Sequence, residues 1–398
     1  MPHIDERRLD DPEWTSERDR RGSLRALATA GAQVREARQL ADEAGIVRLG
    51  SLDRPRSVLV ASLGGSAVVA SVLEMLAEPG SPVPVTVRRN VPLPGWVGSL
   101  DLVVAVSLSG RSPGPLALAS EAARRGAALL TVGASDSPLE AVCRQARGVH
   151  VDVGSGRVSS RTSLWTLLTP ILMAADLLGL ASVSEADLDA TIERLDSVAD
   201  ACRPSSESFV NPAKGLALSL AECVPTVLGD SPLNGVAAAR AASMLARTAR
   251  IPATYGELPD AASQVVATFD GPFTAGGGMG TAEVVEVSGG GGRDIFADPF
   301  LDGPAQPCLG LLMLREAPAP PRTPEEADKQ ALVDGIVATA REAGVVVSEV
   351  SAEPGPPIAR LAGQMATTDF AATYLAIGLG IDPSVSAHIA SLRDFTDR

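Results

Sequence analysis

Short apolar runs alternating with helical segments constrain this chain more than any other feature of its sequence. Ser57-Val58-Leu59-Val60-Ala61-Ser62 leads through Gly64-Gly65-Ser66 into a helical stretch from Ala67 to Ala77. Val83 to Val87 is a further strand, and Asp101 to Val106 leads through Ser107 into a helix from Pro115 to Arg125. Ala127 to Val132 then precedes a helix that ends near Ala146. After helices near 163–180 and 185–202 the pattern returns, with Cys223 to Leu228 as a strand and Gly235 to Thr248 as a helix. Leu309 to Leu314, a helix from Pro324 to Ala343, Val345 to Val350 and a long helix from Ile358 to Leu379 complete it. A short helix is expected from Ser386 to Leu392. Such alternation predicts an α/β chain of αβα three-layer sandwiches with parallel sheets, covered by helices on both faces. The expected division is a charged lead-in at 1–22, a first domain at 23–182 and a second at 200–398. The Gly-rich stretch 271–307 lacks the Lys-Ser/Thr of a P-loop and reads as a surface excursion inside the second domain.

A chain of 398 residues with 45% apolar content can bury two cores. Its net charge of -14 disfavours nucleic acid as a partner, because phosphate contacts need a surplus of Lys and Arg. It also speaks against an anionic membrane surface. The charged stretch from Asp5 to Arg21 has no apolar core of a signal peptide, and the apolar run 164–180 is broken by Pro170 and Asp176. Cys143, Cys202, Cys223 and Cys308 have neither disulfide-framework nor zinc spacing. Reduced, buried thiols and a cytoplasmic location are expected, with no metal and no cofactor.

Two turns carry the functional signal. Gly64-Gly65-Ser66 and Ser107-Leu108-Ser109-Gly110-Arg111-Ser112 both follow strands and open into helices. Ligands of open parallel sheets bind beyond the carboxyl ends of the strands. There, backbone N–H groups at a helix start and serine hydroxyls suit a phosphate dianion. Gly and Ser also dominate ordinary turns, but two such turns on consecutive strand–helix units favour phosphate. Gly64 and Gly65 let the backbone approach the ligand, while Ser66, Ser107, Ser109 and Ser112 supply hydroxyls.

These residues resemble the sugar isomerase (SIS) fold, whose phosphate loop reads Ser-x-Ser-Gly-x-Ser/Thr. The likeness extends to the bifunctional phosphoglucose/phosphomannose isomerase family. It is carried also by Asn211-Pro212-Ala213-Lys214-Gly215-Leu216-Ala217, Ile251-Pro252-Ala253-Thr254-Tyr255-Gly256-Glu257 and Asp369-Phe370-Ala371-Ala372-Thr373-Tyr374-Leu375-Ala376, with Gly380-Ile381-Asp382-Pro383 behind it. The resemblance implies two SIS-type domains, a sugar phosphate as ligand and a homodimer whose sites borrow residues across the subunit interface. It places Ser66, Ser107, Ser109 and Ser112 on the phosphate. Arg393 falls at the family's C-terminal lysine position, and Arg161 near its basic position after the first sheet.

Aldose–ketose isomerisation needs a base between C1 and C2 and a group that opens the ring, tasks suited to a carboxylate and a histidine. The sequence departs from the family at both places: Arg247 stands at the glutamate position and Ser263 at the histidine position. A guanidinium is permanently protonated and cannot serve as a base. Glu257, Asp260 and His388 are the substitutes to weigh; His3 lies in the lead-in and His150 ends a strand. Arg240 and Arg247 could instead bind a second anionic group or lie on a solvated helix face. The expected function is phosphosugar binding with isomerase activity lost or reduced. The alternative is an active isomerase of glucose 6-phosphate or mannose 6-phosphate and fructose 6-phosphate that recruits those substitutes.

Overall fold

The computed structural model describes residues 4–51, 53–157, 159–274, 308–386, 388–389 and 391. The chain forms helices α1 (Glu6–Leu9), α2 (Pro12–Arg18), α3 (Ser23–Ala28) and α4 (Ala30–Glu43) before its first strand, β1 (Val58–Ser62). Then follow α5 (Ala67–Ala77), β2 (Val85–Arg88), β3 (Leu102–Ser107), α6 (Pro113–Arg124), β4 (Ala128–Gly133), α7 (Pro138–Gln145) and β5 (Val149–Asp152). Helices α8 (Leu164–Leu177), α9 (Glu185–Ala201) and α10 (Pro212–Leu220) lead to β6 (Cys223–Gly229) and α11 (Pro232–Met244). The remainder is β7 (Thr254–Glu257), α12 (Ala262–Ala267), β8 (Cys308–Arg315), α13 (Pro324–Glu342), β9 (Val346–Ser351) and α14 (Pro357–Gly378).

All strand pairs in both sheets are parallel, as the alternation predicts. The first sheet has the order β2-β1-β3-β4-β5 and the second β7-β6-β8-β9. β1 and β3 are buried along their whole length, the signature of central strands covered on both faces. Leu59 and Ala61 of β1 pack with Val103 and Ala105 of β3 and with Leu118, Ala119 and Ala122 of α6. In the second sheet Leu228, Leu311 and Met313 pack with Val265, Phe269, Val333, Ile336 and Val337.

The chain divides into two compact units. The first comprises 21–200 with 355–362; the second comprises 1–20, 201–354 and 363–398. The segment expected as a lead-in therefore belongs to the second unit, where it is helical and anchored. Leu9 is buried, and the Trp14 indole donates to the Ile377 carbonyl at 2.9 Å. Lys214, fully buried, donates to Asp10 at 2.9 Å and to the carbonyls of Pro204 and Ser206 at 2.9 and 2.8 Å. All three ammonium protons are thus satisfied, which explains how a lysine is held in the interior.

Six helices are preceded by Ser, Thr, Asn or Asp and begin with proline: α2, α6, α7, α10, α11 and α13. Proline at the first helical position sacrifices only an N–H that has no partner anyway, and Ser, Thr, Asn or Asp before it accepts from the first turn. Asp11, Ser137, Asn211, Ser231 and Thr323 all cap in this way. Ser112, ahead of α6, does not.

Two expectations need correction. Cys308 is exposed rather than buried, because it opens β8 at the sheet margin. The helix expected to run to Thr248 gives way after Met244 to a π-helical turn at Leu245–Ala249. Most of the Gly-rich stretch, 275–307, lies outside the described residues.

Candidate functional site

In the first sheet the connection from β1 leads outward to β2, whereas β3 leads the other way to β4. The crevice between the carboxyl ends of β1 and β3 is therefore the topological switch point, where ligands of this architecture bind. Gly64-Gly65-Ser66 follows β1 and the serine turn follows β3, so both sequence-predicted turns meet there. Their flanks lie close together: a Cβ on Gly114, just past the serine turn, would approach the side chain of Leu63, just before Gly64, to 3.1 Å.

The serine turn is tightly fixed. Gly110 has φ +62, and a Cβ there would collide with the Ser137 side chain. The Gly110 N–H donates to the Ser107 carbonyl at 2.8 Å, and its own carbonyl accepts from Leu139 N–H at 3.2 Å. Ala134 N–H donates to the Leu108 carbonyl at 3.1 Å, which ties the turn to the loop after β4. Gly64 likewise has positive φ, +61, and starts a 3-10 turn that tightens the entry to α5.

The four expected hydroxyls divide into two pairs. Ser107 is buried; its hydroxyl donates to Ser112 Oγ at 2.9 Å and accepts from Ser112 N–H at 3.3 Å. The Ser66 hydroxyl donates to the Leu63 carbonyl at 2.8 Å. These two serines are engaged in holding the turns. Ser109 Oγ accepts from Arg111 N–H at 3.3 Å, and Ser112 Oγ accepts from Ser107. Neither Ser109 nor Ser112 has an acceptor for its own hydroxyl proton among the described residues, so both can donate outward.

Backbone donors are fewer than at an ordinary helix start. Pro113 and Pro115 have no N–H, so the first three residues of α6 offer that of Gly114 alone. The expectations from the sequence did not include Gly114, although the Pro-Gly-Pro run carries the signal. Arg111 is exposed on the turn and supplies a cation. Arg161 lies in the connection from β5 to α8 and is half-buried; the neighbouring Thr162 carbonyl accepts from Gln33 Nε2 at 2.8 Å. His150 is bonded through Nδ1 to Thr131 at 2.7 Å, and burial lowers its pKa, so it is a neutral packing residue.

The second sheet also has a switch point, between β6 and β8, but its chemistry is opposite. Asp230 follows β6 and accepts from Asn234 Nδ2 at 2.6 Å and from Glu316 N–H at 2.8 Å. The Ser231 hydroxyl donates to Glu316 at 2.9 Å. Two carboxylates at this point disfavour a phosphate dianion.

Arg247 and Ser263, which the sequence resemblance sets against the family's acid–base pair, lie in the second unit. Arg247 is half-buried in the π turn, a local distortion frequently found at functional sites. Ser263 is exposed on α12. Glu257 ends β7 and is exposed; its Oε2 lies 2.5 Å from where a Gly235 Cβ would stand, so glycine there admits the carboxylate onto α11. His388 is exposed in the short C-terminal turn, and Arg393 lies outside the described residues. Arg240 is not available for a second anionic group. It is buried, and its Nε and Nη2 bond Asp369 Oδ2 at 3.0 and 2.6 Å, joining α11 to α14. Burial pushes the Asp369 carboxyl up to about 6 despite the guanidinium beside it. Among the described residues no cluster of three or more His, Cys, Asp or Glu could hold a metal, and no helix is long and apolar enough to cross a membrane.

Comparison with known proteins agrees with this geometry. Residues 209–395 match the bacterial phospho-glucose isomerase C-terminal SIS domain. A bifunctional phosphoglucose/phosphomannose isomerase of Caldicellulosiruptor bescii is 27% identical over 198 residues, 50% of this chain and 58% of that protein's length. The alignment thus spans less than two thirds of the curated relative. A hypothetical protein of Thermus thermophilus superimposes over 100% of this chain and 99% of its own, with TM-score 0.64 and 16% identity. A glucose-6-phosphate isomerase of Chlamydia trachomatis does so over 94% of this chain and 77% of its own, with TM-score 0.61 and 13% identity. At such identities the two structures support the fold alone. With two parallel sheets, a serine turn at the first switch point and these likenesses in hand, the chain matches an SIS domain over 209–395 and resembles the bifunctional phosphoglucose/phosphomannose isomerases.

Proposed function

We propose that this chain binds a phosphorylated sugar, with the phosphate received by Ser109, Ser112 and Gly114, and that it does not isomerise it at an ordinary enzymatic rate. The observation that carries the binding is the Ser112 side chain. Alone among six such serine-, threonine-, asparagine- or aspartate-proline junctions it leaves its helix uncapped and is instead fixed by Ser107 at the switch point of the first sheet. A side chain so placed has its donor preset, which lowers the entropic cost of binding an anion. The loss of chemistry follows from Arg247 and Ser263, neither of which can exchange a proton near neutral pH. A cytoplasmic homodimer is part of the same reading, supported by the family likeness.

A second reading has one observation in its favour: Glu257 is an exposed carboxylate at a strand's carboxyl end. In that reading Glu257 is the base of an active aldose–ketose isomerase, and Asp260 or His388 assists. One experiment separates the two. Purified protein is titrated calorimetrically with fructose 6-phosphate, mannose 6-phosphate and glucose 6-phosphate, and each is then assayed for interconversion. Heat of binding without turnover is expected, lost in the Ser109→Ala, Ser112→Ala double variant. Turnover at about 1 per second or more, abolished by Glu257→Gln, would establish the second reading instead.

A further inference from the structure

Cys223 and Cys308 are 85 positions apart in the sequence, yet they open the two central strands of the second sheet as direct register partners. Neighbouring strands lie about 4.8 Å apart, inside the roughly 4.4–6.8 Å that a disulfide spans between Cα atoms. Register partners also project to the same face of a sheet. The Cys223 sulfur already lies over β8. A Cβ on Gly310, two residues beyond Cys308 on that face, would collide with it. Glycine at 310 therefore leaves the space the sulfur occupies, and rotation about the Cys223 Cα–Cβ bond is the movement that turns it toward Cys308. The hydrogen bonds that hold the thiol among the described residues are long, 3.8 Å to the Ser219 carbonyl and 3.7 Å to that of Leu220.

The two thiols differ in environment. Cys308 is exposed, whereas Cys223 is buried. Burial, with Cys308 and Glu222 nearby, pushes the Cys223 thiol up to about 12, so at neutral pH it stays protonated and unreactive by itself.

We propose that Cys223 and Cys308 form a redox-active pair that closes to an intrachain disulfide when a hydroperoxide oxidises Cys308. In the first step the Cys308 sulfur attacks the peroxide; the O–O bond breaks, an alcohol or water leaves, and Cys308 becomes a sulfenic acid. In the second, the Cys223 sulfur attacks that sulfenic sulfur; the S–O bond breaks and hydroxide leaves with the Cys223 proton as water. Two thiols have then lost two electrons and two protons, and the peroxide has gained both. Two equivalents of a small thiol reverse the reaction by exchange, entering at the exposed Cys308 sulfur. The pair belongs to the amino ends of its strands, opposite the carboxyl ends that bear the switch point, and does not depend on what the chain binds.

The test treats the reduced, full-length protein with hydrogen peroxide under native conditions, then blocks, denatures and maps its thiols. Two of the four thiols should be lost, the intact mass should fall by two hydrogens, and one cross-linked peptide pair should join Cys223 to Cys308. Dithiothreitol should restore both. Cys308→Ser, an exposed position, should abolish the bridge and leave Cys223 a thiol; Cys223→Ser should send Cys308 on to a sulfinic acid or a cross-chain bridge. The proposal is overturned if wild-type Cys308 ends as sulfinic acid or a cross-chain bridge with Cys223 still a thiol. It is equally overturned if no thiol is lost, or if the same mass loss persists in Cys308→Ser.

Discussion

At the scale of single residues the proposed phosphate turn rests on a division of labour among serines. Ser107 and Ser66 spend their hydroxyl protons on the protein, and Ser109 and Ser112 do not among the described residues. A hydrogen bond to a charged group contributes about 1.5–3 kcal/mol, so Ser109→Ala and Ser112→Ala should each weaken sugar-phosphate binding about 10- to 100-fold. Ser66→Ala should leave the dissociation constant within about twofold, since its hydroxyl serves the Leu63 carbonyl. Calorimetric titration of the three variants checks the order; equal losses in all three would show that the hydroxyls are not divided in this way. The four serines were legible in the sequence as a group. Their division was not, because it depends on which neighbour each hydroxyl meets. Ser112 has the same sequence context as five helix caps, and only the closeness of Ser107 turns it away from its helix. The paucity of N–H donors at α6 was legible, since Pro113 and Pro115 cannot donate wherever they stand.

At the scale of elements, the N-terminal helices are held to the second unit by one polar anchor as much as by apolar contact. Asp10 accepts from the Lys214 ammonium, and from Ser208 N–H at 3.0 Å and Ser208 Oγ at 2.8 Å. Burial works to raise the Asp10 pKa, but these bonds together outweigh it and leave the carboxyl below its ordinary value. A carboxylate with a depressed folded-state pKa adds stability above its unfolded value, near pH 4, and loses it as pH falls further through the folded one. Asp10→Ala should cost about 2 kcal/mol, between the range of exposed pairs and that of fully buried ones, because it strands an interior ammonium. The urea midpoint at pH 7 measures this. The difference between variant and wild type should shrink as pH falls below about 4; an unchanged midpoint at pH 7 would show that Asp10 does not anchor the segment. Asn211-Pro212-Ala213-Lys214 stood out in the sequence through family likeness, but its partner lies 204 residues away and no local pattern connects them. β7 escaped notice for a related reason: an exposed edge strand of four residues has no apolar run to announce it.

At the scale of the whole molecule, two parallel sheets repeat one architecture, and their switch points have diverged. The first presents hydroxyls and an N–H; the second presents Asp230 and Glu316, tied to Asn234 and Ser231. On the proposed reading, the first switch point is the one that takes the phosphate. The αβα layering was legible throughout, because buried parallel strands read as continuous apolar runs between amphipathic helices. The course of the chain between the units was less so. The first twenty residues belong with the second unit, and 355–362 with the first, placements set by packing contacts that composition does not encode. In the proposed function the chain recognises its ligand by the phosphate, at the first sheet's switch point. The dissociation constants of fructose 6-phosphate and fructose, measured side by side on the wild-type protein, test it most directly. Two to three charge-assisted hydrogen bonds should make the phosphorylated sugar bind at least about 100-fold more tightly; equal affinity for both, or no binding of either, would contradict the account.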